Sequence, residues 1–98
     1  MTSSLQTLLS HAEGERDAAL AALARSEQQL QQLRAQTLQL QGFRDDYRSR
    51  APTAGGRSTS ITSLRTHDDF MQRLQQALDQ AQLQEATAQT QVQQLHRT

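Results

Sequence analysis

Three histidines, two acidic pairs and one glycine pair are the residues of this 98-residue chain whose types could do chemistry. His11 and His96 could meet if the ends of the chain lay side by side, but two imidazoles without a third ligand make a weak metal site. The competing reading is two solvated histidines on helix surfaces. His67 stands in Thr66-His67-Asp68-Asp69, and an imidazole beside a carboxylate is an elementary acid–base couple. The same residues also describe the acidic opening turns of a helix, where Asp favours the positive end of the dipole. Asp45-Asp46 and Asp68-Asp69 could hold a cation, yet Arg44, Arg48 and Arg65 are near enough to neutralise them. They read as surface charge. Gly55-Gly56 is not a phosphate loop, because no strand precedes it and no Lys follows it. The absence of Cys removes thiolate metal sites and disulfides. No nucleophile, base and orienting group converge, so the expectation is a non-enzyme without catalytic residues, cofactor or metal.

The elements that carry these residues are written in the composition. Thirteen Ala, fourteen Leu, eighteen Gln, four Glu and ten Arg account for 59 residues, against one Val and one Ile. That is the composition of long helices, with almost nothing from which to build strands. The ten Arg balance ten acidic residues, six against six in 1–50 and four against four in 51–98. Neither half has the basic excess that a phosphate backbone demands, so no nucleic-acid partner is expected. No apolar run approaches the roughly 18 residues of a membrane span. Met1-Thr2-Ser3-Ser4 lacks the basic opening of a signal peptide, which predicts a cytoplasmic chain.

One segment divides the chain. Pro52 and the pair Gly55-Gly56 fall within ten residues of each other, and Pro ends a helix by lacking an N–H and restricting its predecessor. The organisation predicted is all-α: two long helices in an antiparallel coiled-coil hairpin, a single unit over 1–98. Helix 1 covers about 4–50, the loop about 51–61 and helix 2 about 62–97. Thr2, Ser3 or Ser4 can cap the first helix and Ser60 or Thr62 the second.

A heptad seam supports this. Leu5, Leu9, Ala12, Arg16, Ala19, Leu23, Ser26, Leu30, Leu33, Thr37, Leu40, Arg44 and Tyr47 alternate by four and three. Met71, Leu74, Leu78, Ala81, Glu85, Ala88, Val92 and Leu95 repeat the pattern, the period of a coiled coil. A short loop makes the helices antiparallel, and at about 1.5 Å per residue helix 1 becomes a rod roughly 70 Å long. A turn centred on Gly56 places Glu85 near Ser26 and Arg25. There the carboxylate either fixes the register or bends outward to water.

What remains is a surface. The only aromatics, Phe43, Tyr47 and Phe70, lie toward the loop. On helix 1 they extend into the stripe Gln36, Leu40, Phe43 and Tyr47. On helix 2 the matching stripe is Phe70, Leu74, Ala77 and Ala81. Antiparallel pairing sets Tyr47 beside Phe70, Phe43 beside Leu74, Leu40 beside Ala77 and Gln36 beside Ala81. These residues either close the hairpin core or form a patch. A two-stranded coil cannot enclose bulky rings on every side, so part of each aromatic should stay exposed, as interface anchors do.

The segments Leu40-Gln41-Gly42-Phe43-Arg44-Asp45-Asp46-Tyr47-Arg48, Ser60-Ile61-Thr62-Ser63-Leu64 and Phe70-Met71-Gln72-Arg73-Leu74-Gln75-Gln76-Ala77 resemble the FliJ family. So does the opening Leu5-Gln6-Thr7-Leu8-Leu9-Ser10-His11-Ala12-Glu13. The resemblance covers most of the chain. It implies a small component of the bacterial flagellar type III protein export apparatus, with a coiled coil similar to the stalk of rotary ATPases. The partners it implies are the flagellar export ATPase (FliI-like), the export gate protein (FlhA-like) and export chaperones. Membrane association would come through partners only, on the cytoplasmic face of the inner membrane. The family's gate-binding face carries over onto Gln36, Leu40, Phe43, Tyr47, Phe70, Leu74 and Ala77. Phe43 stands where Tyr is more usual, and Ala81 where a larger polar residue can occur. Family members usually run on past the point of Thr98, in a stretch that helps engage the ATPase, so the gate role is the firmer implication here. The rival class is a generic structural coiled-coil tether, whose mark would be a seam without an aromatic cluster.

Overall fold

A computed structural model describes residues 2–50 and 61–97. The first helix, α1, runs Thr2–Ser49 and the second, α2, runs Ile61–Arg97. The Pro-Gly-Gly turn, and with it the expected cap Ser60, lies outside the described residues. The two helices pack along one another as an antiparallel coiled-coil hairpin. Its extents are 88 × 17 × 15 Å and its radius of gyration is 23.9 Å, against roughly 13 Å for a compact chain of about 100 residues.

The end of α1 is tightened locally. The Arg50 N–H donates to the Tyr47 carbonyl at 3.2 Å, and the Ser49 hydroxyl donates to the Asp46 carbonyl at 2.6 Å. These bonds take up carbonyls that the last turn would otherwise leave open. Arg48 sits in that turn, where a cation suits the negative end of the dipole.

Burial follows the heptads. On α2 the buried residues are Leu74, Leu78, Ala81, Ala88 and Val92, with Met71, Glu85 and Leu95 half-buried. On α1, Ser26, Leu30 and Thr37 are buried, and Leu23, Leu33, Leu40, Arg44 and Tyr47 are half-buried. Among the described residues only Leu78 loses all contact with solvent. Two hydroxyls enter this seam. Thr37 satisfies its own by donating to the Leu33 carbonyl at 2.9 Å, which lets a polar residue sit at 5% exposure.

The register differs from the one a turn centred on Gly56 implies. Glu85 lies across from Arg34, Nε to Oε1 at 3.5 Å, rather than from Ser26 and Arg25. His96 lies across from Glu27 at 3.3 Å, and Leu30 packs with Ala88 and Val92. The layers are therefore Tyr47–Met71, Leu40–Leu78, Leu33–Glu85, Leu30–Ala88 and Leu23–Leu95. The shift is about one heptad. Loop position carries little register information, because the eleven connecting residues tolerate many offsets, whereas side-chain pairing across the seam selects one. Of the two expectations for Glu85, neither holds as stated. It is an ion-paired seam residue, but its partner is Arg34.

The shift leaves a long overhang. Residues 3–21 of α1 are exposed throughout, including the seam positions Leu5, Leu9, Ala12, Arg16 and Ala19. Helix α2 stops opposite the region of Leu23. His11 consequently pairs with Glu15 on its own helix, at 2.9 Å. It lies some sixteen residues, or roughly 24 Å of helix, from the level of His96. The two histidines do not meet.

Candidate functional site

Heptad geometry decides which side chains face water near the turn. Residues just before an a position occupy g, and in an antiparallel pair the g positions of both helices share one edge. Gln36 and Phe43 hold g on α1, and Phe70 and Ala77 hold g on α2. All four are exposed, Phe43 at 54% and Phe70 at 45%. Leu40 and Tyr47 are seam residues and half-buried. Leu74 and Ala81 are deeper still, at 9% and 4%, and form the floor. The eight residues of the two stripes thus form an exposed edge, a half-buried shoulder and a buried support.

Tyr47 organises the aromatic end. Its ring lies 4.3 Å from that of Phe70, centroid to centroid, at 32°. On the other side His67 stacks on it at 4.9 Å and 12°. Such ring pairs contribute about 0.5–1.5 kcal/mol beyond their buried area. They fix Phe70 without covering it. Both expected roles of the aromatics are therefore realised by different residues: Tyr47 closes the core, and Phe43 with much of Phe70 stays in water.

His67 was not legible as part of this cluster from its acidic neighbours alone. The signal was the period: Leu64, His67 and Met71 extend the α2 seam backward by one heptad. Its imidazole stacks on Tyr47 as a packing group. Among the described residues no group of three or more His, Cys, Asp or Glu could hold a metal ion. Two ion pairs close locally beside the cluster. Arg44 bonds Asp45 at 3.2 Å and Arg50 reaches Asp46 at 3.1 Å. A surface cleft of about 430 Å³, lined by Tyr47, Arg50, Thr62, Ser63, Thr66 and His67, opens beside the rings. A two-helix rod supplies a floor and two sides to such a furrow and no roof, so it suits a protein surface better than a small molecule.

The opposite edge, formed by the e positions, has another chemistry. It carries Glu27, Arg34 and His96, and its cross-helix contacts are polar. Near the turn one edge carries exposed aromatic rings; the other edge is ionic.

The whole chain, residues 1–98, matches the family model described as Flagellar FliJ protein. The chain belongs to the FliJ family. Comparison with curated proteins and with solved structures found no match. FliJ membership makes this hairpin a component of the flagellar export apparatus, and the family is a non-enzymatic one. No described helix is long and apolar enough to cross a membrane.

Proposed function

We propose that the chain is a coiled-coil adaptor of flagellar export, linking the export ATPase, the export gate and substrate chaperones. In this reading the g edge beside the turn, Gln36, Leu40, Phe43, Tyr47, Phe70, Leu74 and Ala77 with Ala81 at its end, docks the cytoplasmic domain of the gate. One observation carries it: Phe43 and Phe70 stand about half in water on one edge of a stiff rod, with Phe70 packed against the ring of Tyr47. Exposed rings on a pre-ordered support are what interface centres use, since little side-chain entropy remains to be lost. The position at the inner membrane follows from the gate's being there, since no described helix is long and apolar enough to cross a membrane.

The test pairs affinity with helicity. Phe43→Ala and Phe70→Ala should each weaken gate-domain binding about thirtyfold, the equivalent of about 2 kcal/mol, while circular dichroism stays unchanged. Tyr47→Ala should weaken binding and lower thermal stability together. Gln84→Ala, farther along the same edge, is the control. Normal gate binding by helical Phe43→Ala and Phe70→Ala variants would remove the gate from this surface.

A further inference from the structure

We infer that His67 is a positioning residue of the aromatic edge. Its imidazole clamps the ring of Tyr47, and through that ring it sets the pose in which Phe70 meets a partner. The inference rests on the docking reading given above and adds to it a residue outside the two stripes.

The need for a clamp follows from the packing. On α2 no described residue between the turn and Leu74 is buried, and on α1 none is buried beyond Thr37. Tyr47, Leu64, His67 and Met71 are all half-buried. A seam this open touches a ring on some of its sides only. The backbone of Tyr47 is fixed, because its carbonyl accepts the Arg50 N–H at 3.2 Å at the end of α1. The freedom that remains is in the side-chain torsions, where staggered alternatives lie close in energy unless neighbours choose between them.

Two rings of α2 make that choice. Phe70 meets Tyr47 at 4.3 Å with planes at 32°, and His67 meets it at 4.9 Å with planes at 12°. The His67 contact is the flatter one, the offset stack that planar groups favour. His67 and Phe70 are three residues apart and so project from adjoining turns on one side of α2. Tyr47 reaches across from α1 to both. An aliphatic side chain at position 67 would fill the seam but would set no ring plane. Imidazole sets one and keeps a polar tip for water, which suits a half-buried place. Phe70 is 45% exposed, so the Tyr47 ring is a large part of what orients it. His67 thus acts through Tyr47 and needs no contact with the partner: an edge ordered beforehand loses less side-chain freedom on binding.

Tyr47 is the only tyrosine of the chain, so tyrosine-selective isotope labelling gives one ring to observe by NMR. In the free full chain, His67→Gln should move the Tyr47 ring resonances toward random-coil positions while circular dichroism stays unchanged. The same variant should bind the gate domain about threefold to tenfold more weakly, the loss of one ring pair. His67→Phe should restore both readouts, which a role in helix packing alone does not require. His67→Leu repeats the test with an apolar seam residue, should Gln loosen the helix pair. Phe70→Ala, measured alongside, separates the two inferences. If it binds the gate normally, the docking reading fails, and the clamp stands or falls on the Tyr47 resonances alone. Unmoved resonances in both His67→Gln and His67→Leu would overturn the clamp. So would full gate affinity in those variants beside a weakened Phe70→Ala, or a His67→Phe variant that restores neither readout.

Discussion

The two ends of α1 carry the same pattern and meet opposite fates. From Leu23 to Tyr47 the four–three seam is covered by α2, and from Leu5 to Ala19 the same seam lies in water. Leu30 is 6% exposed and Leu9 60%. A heptad repeat therefore specifies a stripe and its period, but not the helix that covers it. Coverage is set by register, and register by a few cross-helix pairs.

The sharpest break of this comparison is a matched truncation. Leu78→Ala removes a fully enclosed side chain and should cost about 2 kcal/mol, the low end of the range for buried leucines. Thermal unfolding should show this as a clearly lowered Tm, and an unchanged Tm would take Leu78 out of the seam. Phe70→Ala comes next. It deletes the ring contact with Tyr47 while the rest of the ring already faces water, so about 1 kcal/mol is expected in the same experiment. Arg34→Ala should cost less, about 0–1 kcal/mol, with the loss shrinking in high salt because the pair is exposed. Leu9→Ala should be the smallest, within about 0.5 kcal/mol, as for other surface changes. A Leu9→Ala cost equal to that of Leu78→Ala would mean that the overhang is covered in solution. Small-angle scattering sharpens the same point. A solution radius of gyration near 23.9 Å is expected, and a value near 13 Å would mean a folded-back globule.

Most of the fold was legible because its rules are local. Leu and Ala at period 3.5, one Pro-Gly-Gly interruption and no strand formers leave few architectures besides a two-helix rod. Seam membership was legible from Leu23 to Tyr47 and from Met71 to Leu95, down to Ser26, Thr37 and Glu85, whereas the expected seam positions Leu5 to Ala19 are exposed. Register was not. The antiparallel layers repeat every seven residues, so Glu85 opposite Ser26 and Glu85 opposite Leu33 satisfy the pattern equally. The reach of Arg34, the Glu27–His96 pair, the packing of Leu30 and the stacking of Tyr47 separate them, and these are contacts in space.

The candidate site was legible to the same depth. Clustering of three aromatics beside the turn could be seen in the chain itself. The division of labour could not, because Phe43 and Tyr47 are only four residues apart and either could have turned inward. Position g against position d decides it. His67 was obscured by the two aspartates that follow it, which suggested a solvated helix start. Its place in the period, three residues after Leu64 and four before Met71, was the better guide.

The antiparallel seam also has a mechanical meaning. A tension applied between the tip of α1 and the start of α2 would load all the layers in shear, and they would have to yield together. A sideways pull on Arg97 would instead peel the layers one at a time, beginning at Leu95. The same contacts are strong along the axis and weak across it. A coil of this form resists stretching along its axis, yet parts easily when its layers are opened one at a time. Single-molecule pulling in the two geometries should give a higher rupture force for the axial one, and equal forces would show that the layers do not share the load.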